Sequence, residues 1–258
     1  MGTYFLISGT FFLVVYLLLG KIMRRRKIQA NFPKSKDYRR EITYSMIASL
    51  ILVMVPTLLL STPFLQSYNA YHLVGTHCQS WIWLPVFYLV MLLLHDTYFY
   101  WTHRIMHHRL LFRWFHRVHH RSITPSPWTA YSFSPLEAIV QASIVPILVL
   151  IIPLPSWHID IFFVFSLIFN AYGHLGYELF PQKYHQHWLG RWMNTAVHHD
   201  LHHQHGRNSY GLYLTLWDRM MGTMAKGYDQ RYEAVTQPKP ATPPIKPKVI
   251  LRPAGIAA

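Results

Sequence analysis

The sequence predicts an all-α integral membrane protein: a helical bundle of about four to five spans with a histidine-rich helical cap on its cytoplasmic face. Hydrophobic residues make up 52% of the 258 residues and charged residues only 13%, about half the charged share of soluble domains. Several apolar runs are long enough to cross a bilayer. Seven of the 18 histidines lie between His95 and His120, and five more lie between His198 and His205.

The first predicted span is the uncharged run "TYFLISGTFFLVVYLLLG" at residues 3–20. Basic residues follow this run instead of preceding it, which favours a transmembrane helix with an outside amino terminus over a signal peptide. Residues 21–40 carry nine Lys or Arg and one acid, Asp37. This bias predicts a cytoplasmic loop against anionic lipid. Because no nucleic-acid-binding motif accompanies it, we expect no nucleic-acid partner.

Three further hydrophobic regions complete the predicted bundle. Residues 43–64 form a second span with a kink at Pro56, followed by a short outer loop at 65–80. Residues 81–101 form a third span that starts with a tryptophan belt.

The last apolar region is a hairpin of residues 135–155 and 157–176, joined by "PLP". Pro146 and the short turn permit either a full crossing or a re-entrant pair. With the amino terminus outside, both histidine clusters fall on the cytoplasmic side.

The spacing of the histidines predicts metal binding. His103 and His107 stand four apart, as do the outer members of "HRVHH" (116–120) and of "HDLHH" (199–203), so each set shares one helix face. These eight imidazoles are enough for two metals, so we expect the cap to hold a di-metal site. Imidazole suits iron, copper, nickel and zinc alike. The single cysteine, Cys78, excludes a multi-cysteine site and a disulfide framework.

The wider motifs resemble a known family. "FYWTHRIMHH" (99–108), "WFHRVHH" (114–120) and "HHDLHHQHGRNSYGLYLTLWDRMMGT" (198–223) are similar to the three histidine boxes of the fatty acid hydroxylase / sterol desaturase superfamily. The resemblance covers about residues 90–225. Its members are membrane-embedded, non-haem di-iron oxygenases. The resemblance implies a catalytic region at 81–225. Hydropathy and charge predict transmembrane helices with a basic loop at 1–80, and the polar, proline-rich composition after residue 226 predicts a flexible tail at 226–258.

The resemblance implies a set of iron ligands. These are His103, His107, His116, His119, His120, His199, His202 and His203, together with His174 at the end of the apolar hairpin and His198 as a further candidate. Other residues are expected nearby. His95 is either a ligand or a partner of Asp96; Asn170 and Glu178, four residues before and after His174, are candidates for weak or water-bridged ligation. Asp96, Asp200 and Glu178 are expected to bond the second nitrogen of ligand imidazoles.

The function implied is an O2-dependent oxidoreductase that hydroxylates or desaturates a lipid such as a sterol, a sphingoid or a fatty acyl chain. Two iron ions, dioxygen and an external electron donor would be required, the donor being a separate haem, flavin or ferredoxin-type protein. A bacterial inner membrane or the endoplasmic reticulum would fit equally. Ether-lipid cleavage and carotenoid hydroxylation are alternative outcomes on this scaffold.

Two other classes remain open. One is a non-enzymatic membrane metal-binding or transport protein. A transporter should carry ionisable ligands near the midplane of several spans, whereas these histidines gather at one face. The other is a structural protein whose histidines sense pH, which leaves the repeated spacing unexplained.

Overall fold

The computed structural model describes residues 1–67 and 81–237. Over these ranges the chain is helical and contains no β-strand; two isolated antiparallel bridges pair Lys27 with Tyr177 and Met193 with Leu214. The all-α prediction is confirmed for this part of the chain. Most of the predicted outer loop and the proline-rich residues after 237 lie outside the described residues.

The described helices are short apart from three. In chain order they are α1 Gly2–Phe11, α2 Gly20–Met23, α3 Ser35–Leu60, α4 Pro63–Ser67, α5 Leu84–Met106, α6 Phe112–Phe115, α7 Arg117–His120, α8 Pro135–Ala142, α9 Ile144–Ile151, α10 Ser156–Gly173, α11 Ala196–His205, α12 Leu216–Met220 and α13 Tyr228–Thr236. A π-helix, Phe12–Leu18, continues α1, and single 3₁₀ turns occupy Arg24–Arg26, Trp81–Trp83, Pro127–Tyr131, Tyr184–Gln186 and Gly190–Trp192.

By length and composition, α3 is the one described helix that could cross a membrane unaided. Gly2–Leu18 and Gly20–Arg26 would add a second span if this pair, bent by 79°, forms one broken span. The apolar segments Pro135–Ile151 and Trp157–Gly173 are shorter. The predicted number of four to five spans therefore exceeds what this test finds in the described part.

Helix α3 has two different faces. Leu50, Val53 and Leu58 are more than half exposed, as on a surface that meets lipid. The small residues Ala48 and Ser49 are buried where α3 packs against α8 and the turn Pro127–Tyr131. Small side chains allow this close approach of the two backbones.

Two larger cores hold the remaining helices. Met91, Leu148, Phe162 and Tyr213 join α5, α9 and α10 with the loop before α12. A second core joins the end of α10 to α11 and α13; its members include Tyr172, Leu175, Val197, Tyr228 and Tyr232. Phe99 of the first core contacts the His103 ring, and Leu201 of the second core lies on α11 beside His202, so core packing fixes the helices that carry these histidines.

The carboxy-terminal prediction needs correction. The expected flexible tail from residue 226 instead contains α13, whose Tyr228 and Tyr232 are 4% and 0% exposed. Val235 is also buried, which completes an i, i+4, i+7 apolar stripe. The sequence-based prediction missed this short helix because the prolines further along the chain favour a flexible tail.

Part of the basic segment 21–40 also differs from the predicted loop against anionic lipid. Residues 26–29, here named the strap, do not form a separate loop. They are hydrogen-bonded to residues that neighbour the clustered histidines His174 and His199. The Ile28 amide donates to the Gly176 carbonyl and the Glu178 amide donates to the Arg26 carbonyl, both at 3.0 Å. Gln29 Nε2 donates to Asp200 Oδ1 at 2.7 Å. Main-chain hydrogen bonding, which composition does not reveal, fixes this segment.

Candidate metal centre

Nine histidines from five parts of the chain converge in two groups. Within each group one nitrogen from every ring lies within 4.8 Å of the others. The five-histidine cluster consists of His103, His107, His116, His120 and His202. The four-histidine cluster consists of His119, His174, His199 and His203. The rings of His120 and His203 lie 5.0 Å apart, so the two clusters adjoin.

Helix geometry explains the convergence. His103 and His107 end α5 on one face, and α11 presents His199 and His203 on one face with His202 beside them. Within α7 the neighbours His119 and His120 point to different clusters, because adjacent helical residues diverge by about 100°. The result is that α7 and α11 each serve both clusters.

The ligand nitrogens of the five-histidine cluster are closely spaced. His103 Nε2 lies 2.9 Å from His116 Nε2, and His120 Nε2 lies 2.9 Å from His202 Nε2. His107 Nε2 lies 3.2 Å from His202 Nε2 and 3.1 Å from His120 Nε2. Ligands about 2.1 Å from one metal ion would be separated by about 3 Å at right angles, so this spacing suits a single ion.

The other ring nitrogen of several histidines is fixed by a hydrogen bond. His103 Nδ1 donates to the Tyr210 carbonyl at 2.9 Å, and His202 Nδ1 donates to the Asn208 carbonyl at 2.7 Å. His116 Nδ1 donates to Glu137 Oε1 at 2.6 Å. Because Nδ1 carries the proton in each neutral ring, Nε2 presents a lone pair to the cluster.

This tautomer assignment has a direct consequence for His103 and His116. The Nδ1 proton of His103 goes to a carbonyl, so its Nε2 presents a lone pair to His116 Nε2, 2.9 Å away. His116 Nε2 presents a second lone pair when Glu137 is ionised, and two opposed lone pairs repel unless a cation lies between them. The donor set and its orientation therefore fit a bound metal ion.

The four-histidine cluster follows the same pattern. His174 Nε2 lies 3.1 Å from His119 Nε2 and 2.9 Å from His199 Nε2. His174 Nδ1 donates to the Asn170 carbonyl at 2.8 Å, which again leaves its Nε2 as the lone pair. Both ring nitrogens of His203 are buried and lack a hydrogen-bond partner. A buried imidazole without partners is costly, and metal ligation would satisfy it.

Burial also keeps these imidazoles neutral. It lowers the pKa of His119, His199 and His203 well below the usual value of 6.5, and repulsion from neighbouring imidazolium groups lowers it further. Neutral imidazole is the form that binds a metal ion. The electrostatics of the pocket therefore favour ligation.

His198, also predicted as a ligand, lies outside both clusters. Its Nε2 is 3.5 Å from Asp218 Oδ2, and its ring is fully buried. His95 likewise lies apart, with Nδ1 2.9 Å from the Tyr213 hydroxyl and its ring against Phe162. His198 and His95 therefore belong to neither cluster; they contact Asp218 and Tyr213, which lie near the clusters.

None of the carboxylates expected to bond a ligand imidazole does so within the described residues. Asp96 Oδ1 accepts from the amides of Tyr213 and Leu214. Glu178 accepts from the Tyr172 hydroxyl and the Val197 amide. Asp200 accepts from Gln29 and Gln204, and Asn170 donates its side-chain amide to the Ala130 carbonyl. Asp96 and Glu178 thus hold backbone amides near the clusters, and Asp200 joins α11 to the strap.

Two important residues were missed from the sequence. Glu137 bonds His116, yet its position after Ser134 and Pro135 reads as an ordinary first-turn acid. The available signal was its placement as a lone acid in an otherwise apolar segment. For Asp218, in the motif "WDR", the sequence indicates only a structural Asp–Arg pair that closes a helix end near the site. Its carboxylate accepts from the Tyr210 and Gly211 amides at 2.9 Å and from Thr223 Oγ1 at 2.7 Å.

Asp218 thereby shapes the loop whose carbonyls orient two ligands. A Cβ at position 211 would lie 3.1 Å from Asp218 Oδ2 and closer still to the Leu214 carbonyl oxygen, so the tight approach requires glycine. The motif "NSYGLYLTLWD" (208–218) thus positions the two carbonyls that accept hydrogen bonds from His103 and His202 of the five-histidine cluster.

Comparison with known proteins identifies related chains. The fatty acid hydroxylase family model matches residues 88–223. Delta(7)-sterol 5(6)-desaturase of Gibberella zeae is 28% identical over 187 residues, which cover 72% of this chain and 56% of that protein. Lathosterol oxidase is 31% identical over 188 residues in Mus musculus, covering 71% of this chain and 60% of that protein. The human lathosterol oxidase is 29% identical over 186 residues, covering 72% and 60%.

This chain therefore spans less than two thirds of the length of these curated relatives. No solved structure matches it.

Proposed function

The chain belongs to the fatty acid hydroxylase / sterol desaturase superfamily, a family of oxidoreductases that act on lipids, and from this premise we propose that it is a membrane-bound, non-haem di-iron oxygenase. The proposed reaction uses dioxygen to desaturate a sterol-like lipid, with hydroxylation as the related outcome. The observation that supports it most directly is the convergence of nine imidazoles in two adjoining clusters, with His103 Nε2 and His116 Nε2 only 2.9 Å apart.

The residues suited to hold the irons are the nine clustered histidines. When bound, two irons would supply the redox and oxygen-activating chemistry that an unactivated C–H bond requires. No side chain of the pocket can remove such a hydrogen by acid–base catalysis. The protein's own contribution is orientation: Glu137 and the carbonyls of Asn170, Asn208 and Tyr210 hold the Nδ1 protons.

The names of the relatives guide the proposed substrate. One is called a Delta(7)-sterol 5(6)-desaturase and another a lathosterol oxidase, so both act on sterols. For this chain we carry over the class of substrate and leave the individual sterol open. Desaturation removes two hydrogens from neighbouring carbons, and reducing O2 to two waters takes those two hydrogens plus two electrons and two protons.

The two additional electrons must come from outside the described chain. We propose a separate electron-transfer protein of the haem, flavin or ferredoxin type, docking on the side of the membrane where the basic residues of "KIMRRRK" lie. We also propose a multi-pass membrane location with the clusters facing the cytoplasm. The exposed apolar face of α3 and the bias of basic residues support this arrangement.

The first experiment is a metal analysis of the purified, detergent-solubilised protein. We expect close to two irons per chain in the wild type and a clear loss in His119→Ala. His187→Ala is the matched control, because His187 is exposed and lies outside both clusters. A second step adds a Δ7-sterol, a reductant and dioxygen, and follows the new double bond by mass spectrometry.

The competing hypothesis is a membrane protein that binds or moves a metal without oxidising a lipid. It predicts zinc, nickel or copper in place of iron. If the wild type holds zinc or no metal, and iron cannot be reconstituted, the oxygenase proposal fails. The clusters would then be explained as a metal-binding surface.

A further inference from the structure

Aromatic side chains connect the five-histidine cluster to the protein surface. The innermost is Tyr210, which is 7% exposed; its ring centre lies 5.6 Å from that of His103 and 5.2 Å from that of His107. The ring of the fully buried Tyr100 follows, 6.1 Å from that of Tyr210. These spacings are those of aromatic rings in direct contact. Two tyrosine rings thus lead outward from the ligand imidazoles.

The outer end of this series is a pair of tryptophans. The rings of Trp101 and Trp217 lie 5.4 Å and 5.9 Å from the Tyr100 ring and 5.5 Å from each other. Trp101 is 37% exposed and lines an open surface hollow together with Arg104 and His108. A continuous series of ring contacts therefore joins the cluster to the surface.

The hydroxyl group of Tyr100 has an acceptor for its proton. Arg104 Nη1 donates to this hydroxyl at 3.1 Å, and Thr223 Oγ1 donates to Asp218 Oδ1 at 2.7 Å. Because an arginine cannot accept a hydrogen bond and the Thr223 proton is already used, Tyr100 donates to Thr223 Oγ1, 2.9 Å away. A tyrosine that loses an electron also releases its phenolic proton. Here that proton can pass to Thr223 while the Thr223 proton passes to the Asp218 carboxylate.

The chemistry of tyrosine and tryptophan decides what these rings can carry. They are the aromatic side chains most easily oxidised by one electron, yet only a strong oxidant can do so. Electrons that an ordinary biological donor sends to the metal centre therefore do not pass by way of oxidised rings. The series conducts only when a strong oxidant is left at the clusters, as happens if dioxygen is activated while no lipid is bound.

We propose that Tyr210, Tyr100 and the tryptophan pair form an escape route that carries an oxidising equivalent from the metal centre to the surface, away from the ligand histidines. The proposal rests on the oxygenase function, which supplies the oxidant. It goes beyond that function because these rings take no part in lipid oxidation. They act when an activated centre has no C–H bond to attack.

Each step of the escape route balances in electrons and protons. Tyr100 gives one electron across the Tyr210 ring to the metal centre, and its phenolic proton moves to Thr223 as Asp218 receives the Thr223 proton. Trp101 then returns an electron to Tyr100, which takes back its proton. The Trp101 radical releases its indole proton to water. At the surface a small thiol restores Trp101 by giving up one electron and one proton, and the thiol radicals pair as a disulfide.

The test is to treat the iron-loaded protein with hydrogen peroxide and dioxygen in the absence of lipid and thiol. The Trp101 radical then adds dioxygen and leaves an oxidised indole, which peptide mass spectrometry quantifies. Trp192 is the matched comparison, because it is 38% exposed and Arg219 lies 5.7 Å from its ring, as Arg104 lies 5.8 Å from the Trp101 ring. We expect Trp101 to be oxidised in excess of Trp192, and only when the metal is bound.

Tyr100→Phe keeps the ring but removes the hydroxyl group and its proton transfer. It should lower the oxidation of Trp101 to the level of Trp192 and increase the oxidation of the cluster histidines. Tyr232→Phe, which removes a buried hydroxyl group on α13, is the matched control and should keep the excess at Trp101. Metal content equal to that of the wild type shows that each variant is folded.

Equal oxidation of Trp101 and Trp192 in the metal-loaded wild type would overturn the proposal. An excess at Trp101 that persists in the metal-free protein or in Tyr100→Phe would overturn it too. Copper(II) in place of iron makes the same experiment independent of the oxygenase function, because imidazole also binds copper and copper with peroxide is a strong oxidant. Iron content, measured separately, decides the oxygenase function itself.

Discussion

Glu137 accepts a hydrogen bond from His116 Nδ1 at 2.6 Å, and both side chains are almost completely buried. This carboxylate is the one acidic group that bonds a cluster imidazole within the described residues. Its electron donation makes His116 a more basic ligand and fixes the direction of its Nε2.

Glu137→Gln should therefore weaken metal binding in the five-histidine cluster by about 10- to 100-fold, because it removes the charge and leaves the shape. Metal affinity by competition with a chelator measures the loss. Glu233→Gln is the matched control, since Glu233 is 39% exposed and lies on α13. An unchanged affinity in Glu137→Gln would contradict a role for this contact.

Asp218→Ala should destabilise the folded protein around the five-histidine cluster. It leaves the amides of Tyr210 and Gly211 and the hydroxyl of Thr223 without their acceptor. We expect a loss on the order of 3 kcal/mol in the free energy of unfolding, the cost of several unpaired buried groups. Chemical denaturation measures it. Asp229→Ala removes an acid that is 70% exposed and should change stability by less than about 0.5 kcal/mol.

Stability should depend on pH through Lys27 of the strap. Burial lowers the pKa of Lys27 from 10.5 to about 8, although nearby Asp200 partly offsets this. The unfolded chain binds the proton more tightly, so this contribution to stability is present above pH 10.5 and is lost as the pH falls to 8. Melting temperatures between pH 8 and 10 should rise more steeply in the wild type than in Lys27→Met. Parallel slopes in the two proteins would exclude this assignment.

Helix α13 should be part of the folded unit. Tyr232 is fully buried and donates its hydroxyl to the Pro181 carbonyl at 3.0 Å. Tyr232→Ala should cost about 3 kcal/mol or more, as expected for a large buried aromatic side chain. Gln230→Ala, on the exposed side of the same helix, is the control. In addition, a chain shortened to residue 226 should melt earlier than one shortened to residue 237, because it lacks α13.

The clustering of most of these histidines could be predicted because their spacing is local. Helical periods of three and four place His199, His202 and His203 together from sequence alone. The division into two clusters could not be predicted. It depends on α7 and α11 crossing so that His119 and His120 turn to opposite sides, which is a tertiary property.

The carboxylate partners of the histidines could not be predicted from residues adjacent in sequence. Asp96 follows His95 and Asp200 follows His199, yet adjacent residues on a helix do not face each other, and neither pair is bonded. The actual carboxylate partner of His116 is 21 residues away. Likewise, the break at Gly20 that turns the first apolar segment by 79° has no clear mark in hydropathy.

The strap has a consequence for how the protein folds. Its residues bond to Gly176, Phe180 and Asp200, and the Ile28 carbonyl accepts from Arg231, 203 residues later. Contacts so distant in sequence form late, after their loop-closure entropy has been lost. An early part of the chain must therefore wait for one of the last described helices. The contacts between the strap and the helix that carries His199, His202 and His203 are then completed only after nearly all of the described chain has been synthesised.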